Sequence, residues 1–170
     1  MNGLEDGIIV TKLNVALMSP KYNFSNSKFR KLLDSINYKF IFGAYRPQQP
    51  KVSVIIITYN HSKYITSCLE GILNQITNFT VECLIGDDFS NDETSSIISN
   101  FEEQNKNLIF HIRRNTNLGQ LTGNGRLNFL HSLSLASGKF IAICDGDDFW
   151  TDPYKLQKQV DYLEANSNYS

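Results

Sequence analysis

The feature that most constrains the fold is a fourfold alternation of short apolar runs with longer amphipathic segments, starting at Lys51. "VSVIII" (Val52 to Ile57) is continuous, apolar and β-branched, as a strand covered on both faces is. "TYNH" interrupts it, and Ser62 stands where a cap belongs for a helix whose stripe is Ile65, Leu69, Ile72, Leu73 and Ile76. "VECLI" (Val81 to Ile85) reads as the second strand and stops at "GDDFSNDE". Ser90 and Glu93 then have capping-box spacing ahead of a helix carrying Ile97, Ile98 and Phe101. "LIFHI" (Leu108 to Ile112) is the third strand, followed by a Gly/Asn-rich loop over Asn115 to Gly125 and a helix near Leu127 to Ala136. "KFIAIC" (Lys139 to Cys144) is the fourth strand. Asp152 caps and Pro153 opens a last helix with Leu156, Val160 and Leu163 on one face. Strand and helix in strict alternation predict an α/β domain with a parallel sheet wound by right-handed crossovers.

In open sheets of this kind ligands sit outside the carboxyl ends of the strands. The unusual polar residues all fall there. Thr58, Tyr59 and Asn60 follow the first strand, Asp87 and Asp88 the second, and Asp145, Asp147 and Asp148 the fourth. Carboxylates crowded at one edge raise one another's pKa unless a cation joins them. A hard divalent ion takes one or two carboxylates, keeps several waters and draws its other ligands from phosphates. Such an edge holds an anionic diphosphate through a metal, while Asp87 or Asp88 accepts from a base N–H or ribose hydroxyls. Tyr59 offers a stacking face, and Thr58 and Asn60 add hydrogen bonds. The bland alternatives are a loop rich in cap residues at Asp87 and Asp88, a solvated turn at Asp145 to Asp148, and a structural Tyr59. Asp152 reads as a helix cap alone. His61, His111 and His131 are scattered, with no pair at metal-ligand spacing, and read as structural; Trp150 reads as core.

The chain divides near Pro50 into an N-terminal extension and linker (residues 1–50) and the regular domain (51–170). Within the extension, "GIIVTKLNVALMSP" contains a short strand candidate. Phe29, Leu32, Leu33, Ile36 and Phe40 lie on one helical face beside Lys28, Arg30, Lys31 and Lys39. That segment reads either as a helix packed on the domain or as a basic amphipathic segment resting on a membrane surface. A net charge of −1 gives no general pull toward nucleic acid. No apolar stretch approaches the ~20 residues of a membrane span, and "MNGLEDG" is no secretory signal. Cys68, Cys83 and Cys144 form no CxxC pair and read as reduced packing residues, which favours a cytoplasmic protein.

Three stretches, "KVSVIIITYNHSKYITSCLEGILNQ", "ECLIGDDFSNDET" and "GKFIAICDGDDFWTDPYKLQKQVDYLE", together resemble the nucleotide-binding half of glycosyltransferase family 2 over about residues 51 to 165. The resemblance implies a GT-A (Rossmann-like) parallel sheet with helices on both faces, here stopping one helix after the D-x-D motif. It implies that Thr58, Tyr59 and Asp88, with Asp87 beside them, hold the nucleotide base. It implies that "DGDD" holds the ribose through Asp145 or Asp147 and a Mn²⁺ or Mg²⁺ through Asp147 or Asp148. The implied reaction is transfer of a sugar from a nucleotide diphosphate sugar, UDP-linked, to a saccharide or lipid-linked acceptor with inversion, in surface polysaccharide or lipopolysaccharide synthesis. The enzyme would be cytoplasmic, or peripheral at the inner face of the membrane. The sequence departs from the family pattern in two places. The family's arginine on the helix after "NLG" has no clean counterpart, Arg126 and His131 both standing near it. The catalytic base that such a mechanism needs lies beyond Ser170. A non-catalytic nucleotide-sugar-binding module is therefore the alternative. A haloacid dehalogenase-type phosphotransferase fits less well, because Phe149 stands where its threonine belongs.

Overall fold

The computed structural model describes residues 9–11 and 49–166. The amphipathic stretch from Phe29 to Phe40 lies outside the described residues. Among the described residues five strands form one sheet: β1 (Ile9–Thr11), β2 (Val52–Thr58), β3 (Val81–Asp87), β4 (Ile109–Arg113) and β5 (Phe140–Asp145). Their spatial order is β1-β5-β2-β3-β4. The last four are mutually parallel and β1 adds antiparallel to β5 at the edge. The four expected strands are thus present in a parallel arrangement. Each runs on by one or two residues at its carboxyl end, so Thr58, Asp87 and Asp145 are the last ladder residues of their strands. The helices are α1 (Ile65–Leu73), α2 (Thr94–Gln104), α3 (Leu118–Thr122), α4 (Arg126–Ser134) and α5 (Lys155–Ala165).

Alternation along the strands divides the core in two. Val54, Ile56, Cys83, Ile85, Ile109, Ala142 and Cys144 face Ile65, Cys68, Leu69, Ile98, Leu156 and Val160 of α1, α2 and α5. Ile55, Leu84, Phe110 and Ile141 face the opposite way, against Phe129 and Leu133 of α4. Helices therefore cover both faces, and this is why the strands are apolar throughout rather than alternating. Ile55, Ile56, Leu84 and Ile85 are all 0% exposed; burying a side chain of that size stabilises by roughly 1.5–3 kcal/mol.

Local details differ from the sequence expectation. Helix α1 ends at Leu73, so Ile76 leaves the apolar stripe and is 53% exposed, its N–H donating to Pro153 O at 2.7 Å. The stripe includes Cys68 instead, 3.8 Å from Cys144 across the core; all three cysteines are free and buried. Ser62 does not cap α1, which starts after Tyr64. The Ser90–Glu93 capping box does not form either. Ser90 turns back to donate to Asp87 Oδ1 from both N (3.1 Å) and Oγ (2.5 Å), and Asp92 takes the cap role by accepting from Thr94 N at 2.9 Å. A buried carboxylate is the stronger acceptor, and it wins Ser90. The Asn/Gly-rich loop contains α3, because Asn117 accepts from Gln120 N (2.6 Å) at one end and Gly123, at φ 76°, closes the other in the left-handed region.

Candidate functional site

The register fixes the site. Ile57 pairs with Asp145 and Thr58 pairs with Asp87, so the polar residues of β2, β3 and β5 leave the sheet at one level on one edge. A cavity of ≈ 220 Å³ opens there, lined by Ile57, Thr58, Tyr59, His61, Asp88, Gly125, Asn128, Asp145 and Asp147. Five of the residues expected from sequence line it together: Thr58, Tyr59, Asp88, Asp145 and Asp147. Asn60, Asp87 and Asp148 stand outside that lining.

Those three have visible work of their own. Asn60, at φ 57°, donates its N–H to Ser90 Oγ (2.9 Å) and accepts from Asn91 N (2.9 Å). With Ser62 N on Asp92 Oδ2 (3.1 Å), these bonds stitch the loop after β2 to the loop after β3. Burial pushes the Asp92 carboxyl up, but its bonds from Thr94 and Ser62 together outweigh that and hold it at about 2. Asp87 is 2% exposed. Burial alone would raise its carboxyl, but bonds from His111 and Ser90 outweigh burial and hold it below the ordinary range. His111 Nδ1 accepts from Arg113 Nε (3.2 Å), which leaves Nε2–H facing Asp87 Oδ2 at 3.6 Å. Asp148 N closes the acidic turn on Asp145 O at 3.0 Å, with its side chain in solvent.

Asp88 is 4% exposed and grips the loop after β4. Its Oδ1 accepts from Leu118 N (2.8 Å) and its Oδ2 from Gly119 N (2.7 Å). Each oxygen keeps a second lone pair for a ligand in the cavity. Thr58 Oγ1 and His61 Nδ1 are buried with no hydrogen-bond partner among the described residues. His61 Nδ1 lies 3.9 Å from Asp147 Oδ1. Unsatisfied buried polar atoms lining a crevice mark a place for a polar ligand.

Beside them the Asp145 carboxyl is raised above its usual range, first by partial burial and then by the charges of Asp147 and Asp148, with His61 opposing. A divalent cation would relieve that repulsion. Among the described residues no three His, Cys, Asp or Glu side chains are gathered as a metal cage. The set fits an ion that takes one or two carboxylates here and its remaining ligands from a bound phosphate and water. Asp145, Asp147 and Asp148 are all exposed at this turn, the Asp147 side chain to 52%, so carboxylates are at hand to hold such an ion.

Neither Arg126 nor His131 lines the cavity. Arg126 is exposed at the start of α4. His131 is 3% exposed and its Nδ1 pairs with Arg114 Nη1; burial and then the Arg114 charge lower its pKa from 6.5 to about 4. Arg114, 7% exposed, also donates to Asn128 Oδ1 (2.7 Å and 3.1 Å) and Ser132 Oγ (3.3 Å), while Asn128 Nδ2 donates to Gly86 O (2.7 Å). Sequence reasoning missed this network, and with it Asn128 and His61 as cavity residues. The signal for His61 was its place two residues beyond Tyr59 on the same loop.

The fold and the edge define a GT-A-type α/β domain. The chain matches the model of Glycosyl transferase family 2 over residues 53–169 and belongs to that family. An uncharacterized protein of Mycobacterium tuberculosis is 43% identical over 115 residues, covering 68% of this chain and 32% of its own length. A Methanocaldococcus jannaschii protein named an uncharacterized glycosyltransferase is 34% identical over 119 residues, covering 69% and 39%. The chain thus spans about a third of the length of the curated relatives it matches. Among solved structures it is similar to S. aureus TarS 1–349 in complex with UDP-GlcNAc, with TM-score 0.58 and 30% identity over 69% of this chain and 32% of that one. The Pyrobaculum calidifontis mannosyltransferase in complex with GDP-Man and Mn²⁺ shares the fold, with TM-score 0.57 and 21% identity over 80% of this chain and 39% of that one.

Proposed function

We propose that the chain is the donor-binding portion of an inverting glycosyltransferase that takes a sugar from a UDP-linked donor and passes it to a saccharide or lipid-linked hydroxyl in surface polysaccharide or lipopolysaccharide synthesis. The observation that carries this reading is one cavity uniting Thr58, Tyr59 and Asp88 with Asp145 and Asp147 at a single sheet edge. Thr58, Tyr59 and Asp88 take the base, Asp145 and Asp147 the ribose, and Asp147 with Asp148 a Mn²⁺ or Mg²⁺. Such an ion supplies Lewis-acid stabilisation of the departing diphosphate. Asn60 and Asp87 act through the loops they hold. UDP is favoured because TarS, to which the chain is similar, was solved with UDP and with UDP-GlcNAc. Three free buried thiols support a cytoplasmic setting. The proposed membrane contact is peripheral, at the inner face; among the described residues no helix is long and apolar enough to cross a membrane.

The test is calorimetric comparison of UDP and uridine on the wild-type chain and on Asp147→Ala, Asp148→Ala and Asp88→Ala. Both turn variants should lose metal-dependent UDP affinity; Asp148→Ala should keep uridine, while Asp147→Ala, which also gives up a ribose contact, should weaken it. Asp88→Ala should lose both. Uridine affinity unmoved by Asp88→Ala, in a variant shown to be folded, removes that residue from the base site.

A further inference from the structure

The acidic turn is gripped at both ends by groups that lie outside the donor cavity or carry no charge. At its start Gly146 N–H donates to Ile57 O at 3.0 Å. A Cβ there would stand 2.6 Å from Thr58 Oγ1 and 3.0 Å from His61 Nδ1, so the turn presses on β2 as closely as backbone allows. At its far end Trp150 is buried, and its backbone lies directly on Gly71 of α1. A Cβ on Gly71 would be 2.9 Å from Trp150 O and 3.0 Å from Trp150 N. One turn further along, the Gln75 side chain ties the end of α1 to the segment after Trp150. Its Nε2 donates to Asp152 O (2.8 Å) and Gly71 O (3.3 Å), and its Oε1 accepts from Leu156 N (3.0 Å). Only Asp147, Asp148 and Phe149 lie between the two grips, and all three are exposed.

We propose that Gly71 and Gln75 are positioning residues of the donor site: by seating Trp150 and Asp152 on α1 they set the direction in which Asp147 and Asp148 meet a divalent cation. The inference rests on the reading of those two aspartates as the cation pair. The physical reason is the tolerance of the ion. Mg²⁺ demands near-ideal octahedral geometry at about 2.0–2.1 Å. Ordinary contact for a Cβ begins at 3.4 Å, so Gly71→Ala must push the Trp150 backbone away by about half an ångström. The upstream end is fixed at Gly146, so the three residues in between absorb the shift. Alanine is otherwise the better helix residue, and a loss of metal binding must therefore come through Trp150. Thr58 ends β2, and Tyr59 and Asp88 stand on the loops after β2 and β3, whereas the Gln75 side chain bonds to Gly71, Asp152 and Leu156.

The experiment titrates UDP with Mn²⁺, and uridine without metal, into wild-type, Gly71→Ala and Gln75→Leu chains, with thermal melting of each. Gly71→Ala should weaken metal-dependent UDP binding about tenfold and leave uridine within about twofold. Gln75→Leu, close in volume and lacking all three hydrogen bonds, should show the same split and covers the case in which Gly71→Ala does not fold. UDP and uridine affinities falling together, or neither changing in folded variants, would overturn the proposal. Wild-type UDP binding that ignores Mn²⁺ would instead bring down the cation reading itself, and the inference with it.

Discussion

Replacing Asp88 by asparagine puts the clearest number on how the site is built. The carboxylate is 4% exposed and accepts one backbone N–H on each oxygen, from Leu118 and from Gly119. Asp88→Asn keeps one acceptor and turns the other into an NH₂ that faces an N–H. A hydrogen bond to a charged group contributes about 1.5–3 kcal/mol net, and an orphaned buried donor costs about 1–3 kcal/mol. Part of that penalty is relieved by α3 moving off, since it is only five residues long. The expected loss is therefore about 2–4 kcal/mol of unfolding free energy. Urea unfolding followed by the fluorescence of Trp150, the single tryptophan and 5% exposed, reads it directly. A loss below about 0.5 kcal/mol with an unchanged m-value would refute the reasoning, because it would mean that the two bonds are not formed in solution.

The same comparison at lower pH isolates His131. Its folded-state pKa lies near 4 against 6.5 for the free ring, so between those values the unfolded chain binds more protons. Stability is thus greatest above about 6.5, declines as pH falls toward 4, and loses about 3 kcal/mol over the window through this residue. His131→Gln should flatten the pH dependence by that amount; parallel wild-type and variant curves would contradict the buried neutral imidazole. The thiols give a second check. Burial raises Cys83, and Cys68 is raised first by its hydrogen bond with Cys144 and then by burial. Ellman's reagent should therefore leave Cys68, Cys83 and Cys144 unmodified in the native chain and titrate all three in denaturant, whereas fast native labelling of any one would place it at the surface.

Much of the edge was legible because its logic is periodic. The apolar runs could be buried on both faces only in a parallel sheet, and a parallel sheet brings the residues after each strand to one side. Thr58, Tyr59, Asp88, Asp145 and Asp147 follow from that topology alone. What could not be read is which acceptor wins a donor when several compete. Ser90 looked like a cap for α2 and is taken by Asp87, while Asp92 caps instead. The buried Arg114, Asn128, His131 and Ser132 carry no periodic signal. They meet because α4 lies against β2 and β3, a contact that depends on how the crossover after β4 packs and not on local pattern. Gln75 was hidden for the same reason, its three partners lying four, 77 and 81 residues away.

The central claim is that the acidic turn from Asp145 to Asp148 serves a cation beneath a diphosphate. Titrating UDP into the wild-type chain with Mn²⁺, then repeating with the metal chelated, tests it most directly. The account predicts saturable one-to-one binding with Mn²⁺ that weakens at least tenfold on chelation, since two or more carboxylates then face the diphosphate uncompensated. Binding of equal strength under both conditions would contradict it, because the aspartates would then be tolerating the diphosphate rather than holding it.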